Sequence, residues 1–327
     1  MAQPYPEIEP YASGRLDVGE GHRVYWETCG DAGGKPALVL HGGPGSGCGA
    51  WQRRLFDPRR YRVVLLDQRN CGRSTPHASE PNVDLTTNTT ERLLADIERL
   101  RAHLGVDRWL VLGGSWGSAL ALTYAERHPR RVAEMVLFGV ATGRRDEFDW
   151  LFRDGLERFF PEAWRQRRDA LPETLRDGDV VDAYRRVLFD ADPATRARAA
   201  HAWCLWESAT PDWPPRTELA PRFRDPRFAL AFARIVTHYV ANDAWLGDGR
   251  VWRELDAIGH VPITLINGRY DFQAPIGTAW ALRERLPRAE LIVVDAGHSA
   301  GNDRLLEAIV AATDRYACDR PTERSRA

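Results

Sequence analysis

A serine can cut an amide only if its hydroxyl is lifted clear of the chain and a neighbour takes its proton. Gly113-Gly114-Ser115-Trp116-Gly117 meets the first condition. It follows the apolar run Trp109 to Leu112 and precedes an apolar-periodic stretch through Ala119, Leu120, Leu122 and Ala125. On so sharp a strand-to-helix turn the serine is strained and its hydroxyl stands above the sheet, while glycines keep Cβ atoms off neighbouring backbone. The new helix also brings backbone N–H groups beside the hydroxyl. A glycine-rich turn without chemistry would share the glycines, but not a strand before and a helix after.

The base and its orienting acid are expected later in the chain, acid first and histidine second. Asn267-Gly268-Arg269-Tyr270-Asp271 closes the run Ile263 to Ile266, and Asp295-Ala296-Gly297-His298-Ser299 closes the run Leu291 to Val294. Each loop lies at the carboxyl end of a strand, the edge that an open α/β sheet shares with Ser115. Of nine histidines, only His298 occupies such a loop after a late strand. Ser115, His298 and Asp271 are therefore expected to be nucleophile, base and orienting acid. His41-Gly42-Gly43-Pro44-Gly45 follows another run, Ala37 to Leu40, and its glycines let N–H groups approach a developing oxyanion. The donors expected are the backbone N–H groups of Gly43 and Trp116. That loop lacks the lysine and hydroxyl of a phosphate-binding P-loop and the spacing of a dinucleotide fingerprint.

These residues need a sheet to hold them. Ala37–Leu40, Tyr61–Leu66, Trp109–Leu112 and Met135–Phe138 are compact apolar runs, alternating with helical patterns. In one of these, Leu93, Leu94, Ile97, Leu100 and Leu104 recur at helical spacing. Such alternation predicts an α/β fold, a mostly parallel sheet covered by helices on both faces. Arg15–Val18 and Arg23–Thr28, joined through Gly19-Glu20-Gly21, predict an antiparallel hairpin. From about Ala141 to Leu246 strand-like runs vanish, and Phe148–Phe160, Val180–Leu188 and Ala199–Trp206 read as short helices separated by prolines. The alternation then returns with a strand Ile263–Ile266, a helix Ile276–Leu286, a strand Leu291–Val294 and a closing helix Asp303–Tyr316. The expected division is a core over 1–140, a helical cap over 141–247, core again over 248–318, and a disordered tail over 319–327.

Composition removes several function classes. The 327 residues carry a net charge of −1, with arginines scattered among acids and a single lysine, Lys35, which excludes a basic nucleic-acid track. No apolar run approaches the roughly 18 residues of a membrane-spanning helix. The start, Met1-Ala2-Gln3-Pro4-Tyr5-Pro6, has no signal-peptide pattern. Cys29, Cys48, Cys71, Cys204 and Cys318 contain no C-x-x-C pair, which fits a reduced cytoplasm and neither a disulfide framework nor a zinc site.

Four motifs together carry a family resemblance. His41-Gly42-Gly43-Pro44-Gly45, Asp67-Gln68-Arg69-Asn70-Cys71-Gly72-Arg73-Ser74, Gly113-Gly114-Ser115-Trp116-Gly117-Ser118 and Gly268-Arg269-Tyr270-Asp271 resemble the prolyl aminopeptidases (proline iminopeptidases) of the α/β-hydrolase superfamily. The resemblance runs from about Tyr11 to Tyr316. It implies an α/β-hydrolase fold with an inserted helical cap, and Ser115, Asp271 and His298 as the catalytic residues. Trp203-Cys204-Leu205-Trp206-Glu207 is similar to the family's W-x-x-W-E motif, which implies that Glu207 binds the substrate's free α-ammonium. Asn70 stands where the family usually has glycine.

Two departures alter the implied pocket. Ala233-Arg234-Ile235-Val236-Thr237-His238-Tyr239 carries Val236 where the family has a second carboxylate for the amine. Leu137-Phe138-Gly139-Val140-Ala141 replaces L-R-G-I-F, so that Phe138 and Ala141 stand for an arginine and a pocket aromatic. Weaker compensation of an ammonium and more room beside a pyrrolidine ring are expected. The implied function is a serine aminopeptidase that releases N-terminal proline, or another small residue, from short peptides or amides through an acyl-enzyme. No metal or organic cofactor is implied. The alternative is an amidase or esterase of the same fold acting on a non-peptide small molecule. A catalytically dead binding protein is disfavoured, because no part of the triad or the oxyanion loop is missing.

Overall fold

Strands with no polar face must be buried on both sides, and here they form the centre of an eight-stranded sheet. The computed structural model describes residues 3–247 and 249–317. Its strands are β1 (Ala12–Gly19), β2 (His22–Gly30), β3 (Lys35–Leu40), β4 (Tyr61–Leu66), β5 (Trp109–Gly114), β6 (Val132–Phe138), β7 (Ile263–Gly268) and β8 (Ala289–Val294). They lie in the order β1-β2-β4-β3-β5-β6-β7-β8. The hairpin β1–β2 and the β2–β4 pair are antiparallel, and all other pairs are parallel. Parallel register aligns the carboxyl ends: Leu40 pairs with Gly113, Gly114 with Phe138, and Gly268 with Val294. The loops after β3, β5, β7 and β8 therefore open on one edge.

Helices α1 (Ala50–Arg53), α2 (Thr90–His103) and α3 (Trp116–Arg127) precede β6. Between β6 and β7 come α4 (Arg145–Phe152), α5 (Pro161–Asp169), α6 (Val180–Val187), α7 (Pro193–Ala209), α8 (Pro226–Ala241) and α9 (Arg250–Glu254). Helices α10 (Ile276–Arg285) and α11 (Asp303–Ala317) complete the chain as described. Strand alternation splits the sheet's packing. Leu38, Leu40, Val64 and Leu66 join one apolar cluster, whereas Ala37, Val39, Val63 and Leu65 join another. A third cluster belongs to the segment between β6 and β7 and gathers Phe152, Trp203, Trp206, Phe232 and Val236.

The strands lie within a few residues of their expected limits. The helix expected over Phe148–Phe160 is corrected: α4 ends at Phe152, and Gly155, at φ 151°, breaks the path before a 3₁₀ turn over Leu156–Arg158. Ala199–Trp206 proves to be the middle of a longer helix, α7. Prolines that read as separators begin helices here. Asp192 caps the N–H groups of Ala194 and Thr195 with Pro193 in the first turn, and Asp225 caps Arg227 with Pro226 in the same place. The tail expected to be disordered lies outside the described residues.

Candidate active site

Ser115 stands between β5 and α3 at φ 56°, ψ −125°, a conformation that costs energy for any side chain bearing a Cβ. Its neighbours have no room for one. A Cβ on Gly113 would strike the Gly117 carbonyl, and one on Gly117 would strike the Leu40 carbonyl. Two glycines therefore let β5, the start of α3 and the end of β3 close upon the serine.

Asp271 and His298 meet across the ends of β7 and β8. The ring Nδ1 of His298 lies 2.8 Å from Asp271 Oδ2, and the N–H of Ala274 donates to the other oxygen at 2.7 Å. A buried carboxylate on Nδ1 fixes a proton there and leaves Nε2 as the acceptor. His298 and Ser115 line one cavity of about 630 Å³. The His298 loop is also gripped from the helical segment: its N–H donates to the Pro211 carbonyl at 2.6 Å, and the Ser299 N–H to Asp212 Oδ1 at 3.2 Å. Burial disfavours the charged ring, but the charge and hydrogen bond of Asp271, helped by Asp212 and Glu207, outweigh it and raise the His298 pKa above its ordinary value.

One side chain joins the two segments that carry the expected oxyanion donors. Gln68 Nε2 donates to the His41 carbonyl at 2.9 Å, and its Oε1 accepts from the Trp116 indole N–H at 2.9 Å. The Gln68 backbone N–H donates to His41 Nε2 at 3.0 Å. Burial lowers the His41 pKa, which suits a neutral acceptor. Gln68 thus ties the Gly43 loop to the turn that carries Trp116. Among the described residues neither the Gly43 nor the Trp116 backbone N–H has a protein acceptor. Behind Gln68, Arg69 grips Asp96 at 2.6 and 2.9 Å, and Arg73 bridges Asp67 and Glu27. Asn70 sits at φ 64°, the left-handed region that glycine occupies without cost and asparagine tolerates, which accounts for the exchange.

Glu207, on α7, is 6% exposed and lines the same cavity as Ser115 and His298. Burial pushes its carboxyl up, against the pull of Arg222, Arg167 and His298. The altered-pocket expectation needs correction. Val236 is fully buried in the apolar cluster of the helical segment and is not part of the cavity wall. The pocket has not lost its aromatic character either, because Phe138, Phe228 and Phe232 line it. Ala141 is not part of the wall; its carbonyl accepts from the Ser118 hydroxyl at 3.1 Å. Sequence reasoning missed Gln68, Asp212 and Arg222. Only Gln68 carried a signal, its place two residues past an apolar run within a motif.

The arrangement brings a serine hydroxyl, a carboxylate-held imidazole and a desolvated carboxylate to one cavity, with two unengaged N–H groups in the loops beside it, and such a set can carry out acyl transfer to serine. The family model described as alpha/beta hydrolase fold matches residues 35–304. The chain is 53% identical over 318 residues to a probable proline iminopeptidase of Streptomyces coelicolor, covering 96% of this chain and 97% of that one. It is 45% identical to a proline iminopeptidase of Xylella fastidiosa, covering 95% and 98%. With that of Arabidopsis thaliana the identity is 44%, covering 95% of this chain and 81% of the relative. Among solved structures, the proline iminopeptidase of Mycobacterium smegmatis superposes with a TM-score of 0.60 at 22% identity, covering 94% and 98%. A membrane phospholipase A gives 0.62 at 18% identity, covering 94% and 87%, so these likenesses speak to the fold alone.

Proposed function

This chain belongs to the proline iminopeptidases of the α/β-hydrolase family, and from that premise we propose that it releases N-terminal proline, or another small residue, from short peptides and amides. The observation that carries the reading is a shared cavity: Ser115, His298 and the buried carboxylate of Glu207 all face it. Ser115 Oγ attacks the scissile carbonyl while His298 Nε2 takes its proton. Asp271 holds the imidazole and balances the imidazolium. The N–H groups of Gly43 and Trp116 receive the oxyanion. As the tetrahedral intermediate collapses, His298 returns the proton to the leaving nitrogen, the C–N bond breaks and an ester to Ser115 remains. Water repeats the route and frees the acid. Glu207 accepts the substrate's ammonium, so that only a chain beginning at the scissile residue fits. Residues 141–247 act as a cap over a core made of 1–140 and 248–318. Free cysteines at 29, 48, 71 and 204 support work in a reducing cytoplasm. No helix among the described residues is long and apolar enough to cross a membrane.

A second reading, an amidase or esterase for a non-peptide substrate, is favoured by the three phenylalanines in the wall. A side-by-side assay separates the two. We expect kcat/KM for proline, alanine or glycine arylamides to exceed that for simple acyl esters, with proline among the best. Ester turnover with no arylamide turnover would install the second reading. Glu207→Gln should weaken free-amine substrates by roughly 2–4 kcal/mol in kcat/KM, far more than esters, because only the former place a cation beside it.

A further inference from the structure

Arg167 is a buried cation that the catalytic steps do not use. It lies near the end of α5 with no exposed surface. Its guanidinium sits within five rings: 4.3 Å from the Trp203 centre, 5.1 Å from Trp164, 5.4 Å from Trp206, 5.6 Å from Tyr184 and 5.8 Å from Phe152. Nη1 donates to the Phe152 carbonyl at 3.2 Å, but Nε and Nη2 have no hydrogen-bond partner among the described residues. Arginine does not shed its charge at ordinary pH, and ring faces restore only part of the hydration it has lost. A cation so placed needs an anion within range through a low-dielectric interior.

Two carboxylates act on it, Glu207 and Asp179. Asp179 is already taken by Arg153 at 2.6 Å, and the charges of that pair offset each other. Glu207 forms no ion pair among the described residues, although it too is buried. The two are joined by α7, because Trp203 and Trp206 stand one turn and one residue before Glu207 on the same helix. We propose that Arg167 is a positioning residue for the amine site, a caged cation behind α7 that balances the charge of Glu207 on the cavity side. A direct salt bridge would occupy the oxygens that the substrate's ammonium needs. A cation held back by indole rings supplies the field without itself occupying those oxygens. The other groups facing Glu207 are Arg222 from the 3₁₀ turn Pro221–Arg224, His298 from the loop after β8, and the thiol of Cys204 on α7 itself. Arg222 lines the cavity, where substrate and water compete for it; Arg167 does not. Burial lowers the Arg167 pKa to about 10, still well above neutrality.

The inference rests on reading Glu207 as the ammonium's partner only for its effect on catalysis, and its test has two arms. Thermal unfolding is measured for the parent, Arg167→Met, Glu207→Gln and the double variant. Each single change strands a buried charge and the double change strands none, so the losses in Tm should not add, and the double variant should be less damaged than their sum. Folding of Arg167→Met only in company with Glu207→Gln would be the same coupling in its strongest form. If neither protein folds, Arg167→Gln takes the place of Arg167→Met in the cycle. The second arm is the acid limb of kcat/KM for a prolyl arylamide. In Arg167→Met it should move to higher pH by about one unit relative to the limb for an acyl ester, and Arg167→Lys should restore it. Additive losses in Tm, or an unmoved limb in a folded neutral variant, overturn the proposal. If Glu207→Gln instead weakens arylamides and esters equally, the amine reading fails while the thermal coupling remains.

Discussion

At the scale of single residues, the proposed mechanism makes His298 set the pH behaviour. As the proposed base it must be neutral to accept the proton of Ser115, and its surroundings raise its pKa. The rate should therefore climb with pH through a midpoint above the ordinary histidine value of about 6.5. A kcat/KM profile flat from about pH 5 to 9, with chemistry rate-limiting, contradicts the assignment. Stability runs the other way. The folded chain binds the proton of His298 more tightly than the unfolded chain, so this contribution is full at low pH and fades as pH rises through the folded pKa. Val236 gives a second prediction at this scale. Family analogy suggests that Val236→Glu improves amine binding, but the side chain is wholly buried in the apolar cluster of the helical segment. The change should lower Tm with no gain on prolyl arylamides, as thermal unfolding and steady-state kinetics will tell. The placing of Ser115, Asp271 and His298 on the loops at the carboxyl ends of β5, β7 and β8 was legible in the sequence, because each follows an apolar run within a few residues. Val236 was not, since a one-dimensional motif shows which residue has changed and not which way it points.

Among the elements, the loop after β4 does more than its sequence declared. Gln68 braces the His41–Gly45 loop against the turn at Trp116 through hydrogen bonds of 2.9 Å at each end of its amide. Gln68→Ala removes the brace without entering the cavity. We expect kcat to fall about 10- to 100-fold with little change in KM, the scale for an oxyanion donor left imperfectly aimed. Loss confined to KM would assign Gln68 to substrate binding instead. The strands were readable because their periodicity and burial agree. Helix limits were harder. Phe148–Phe160 has enough apolar residues for one helix, and Gly155 interrupts it with a backbone conformation that composition does not announce. In Asp192-Pro193 and Asp225-Pro226 the proline lies just inside a helix start, where its missing N–H has no intrahelical partner to lose.

For the molecule as a whole, the helical segment between β6 and β7 has its own apolar cluster and contacts the sheet edge at the His298 loop. Arg234 on α8 pins the two together: Nη1 donates to the carbonyls of Ala78 and Glu80 at 2.8 and 2.9 Å, and Nε to that of Leu188 at 2.9 Å. The sequence disclosed that this region is helical. It did not disclose that Pro211 and Asp212 reach the His298 loop, or that Arg167 sits in a ring cage, because those contacts join residues far apart in the chain. The proposed mechanism depends on one hydroxyl. Ser115→Ala deletes that proposed nucleophile and nothing else, and the most direct measurement is its kcat against the parent's on a prolyl arylamide, with the fold verified by thermal unfolding. A loss on the order of 10⁴-fold or more is expected. A well-folded, contamination-free Ser115→Ala protein that keeps more than about a tenth of the parent's rate would contradict it.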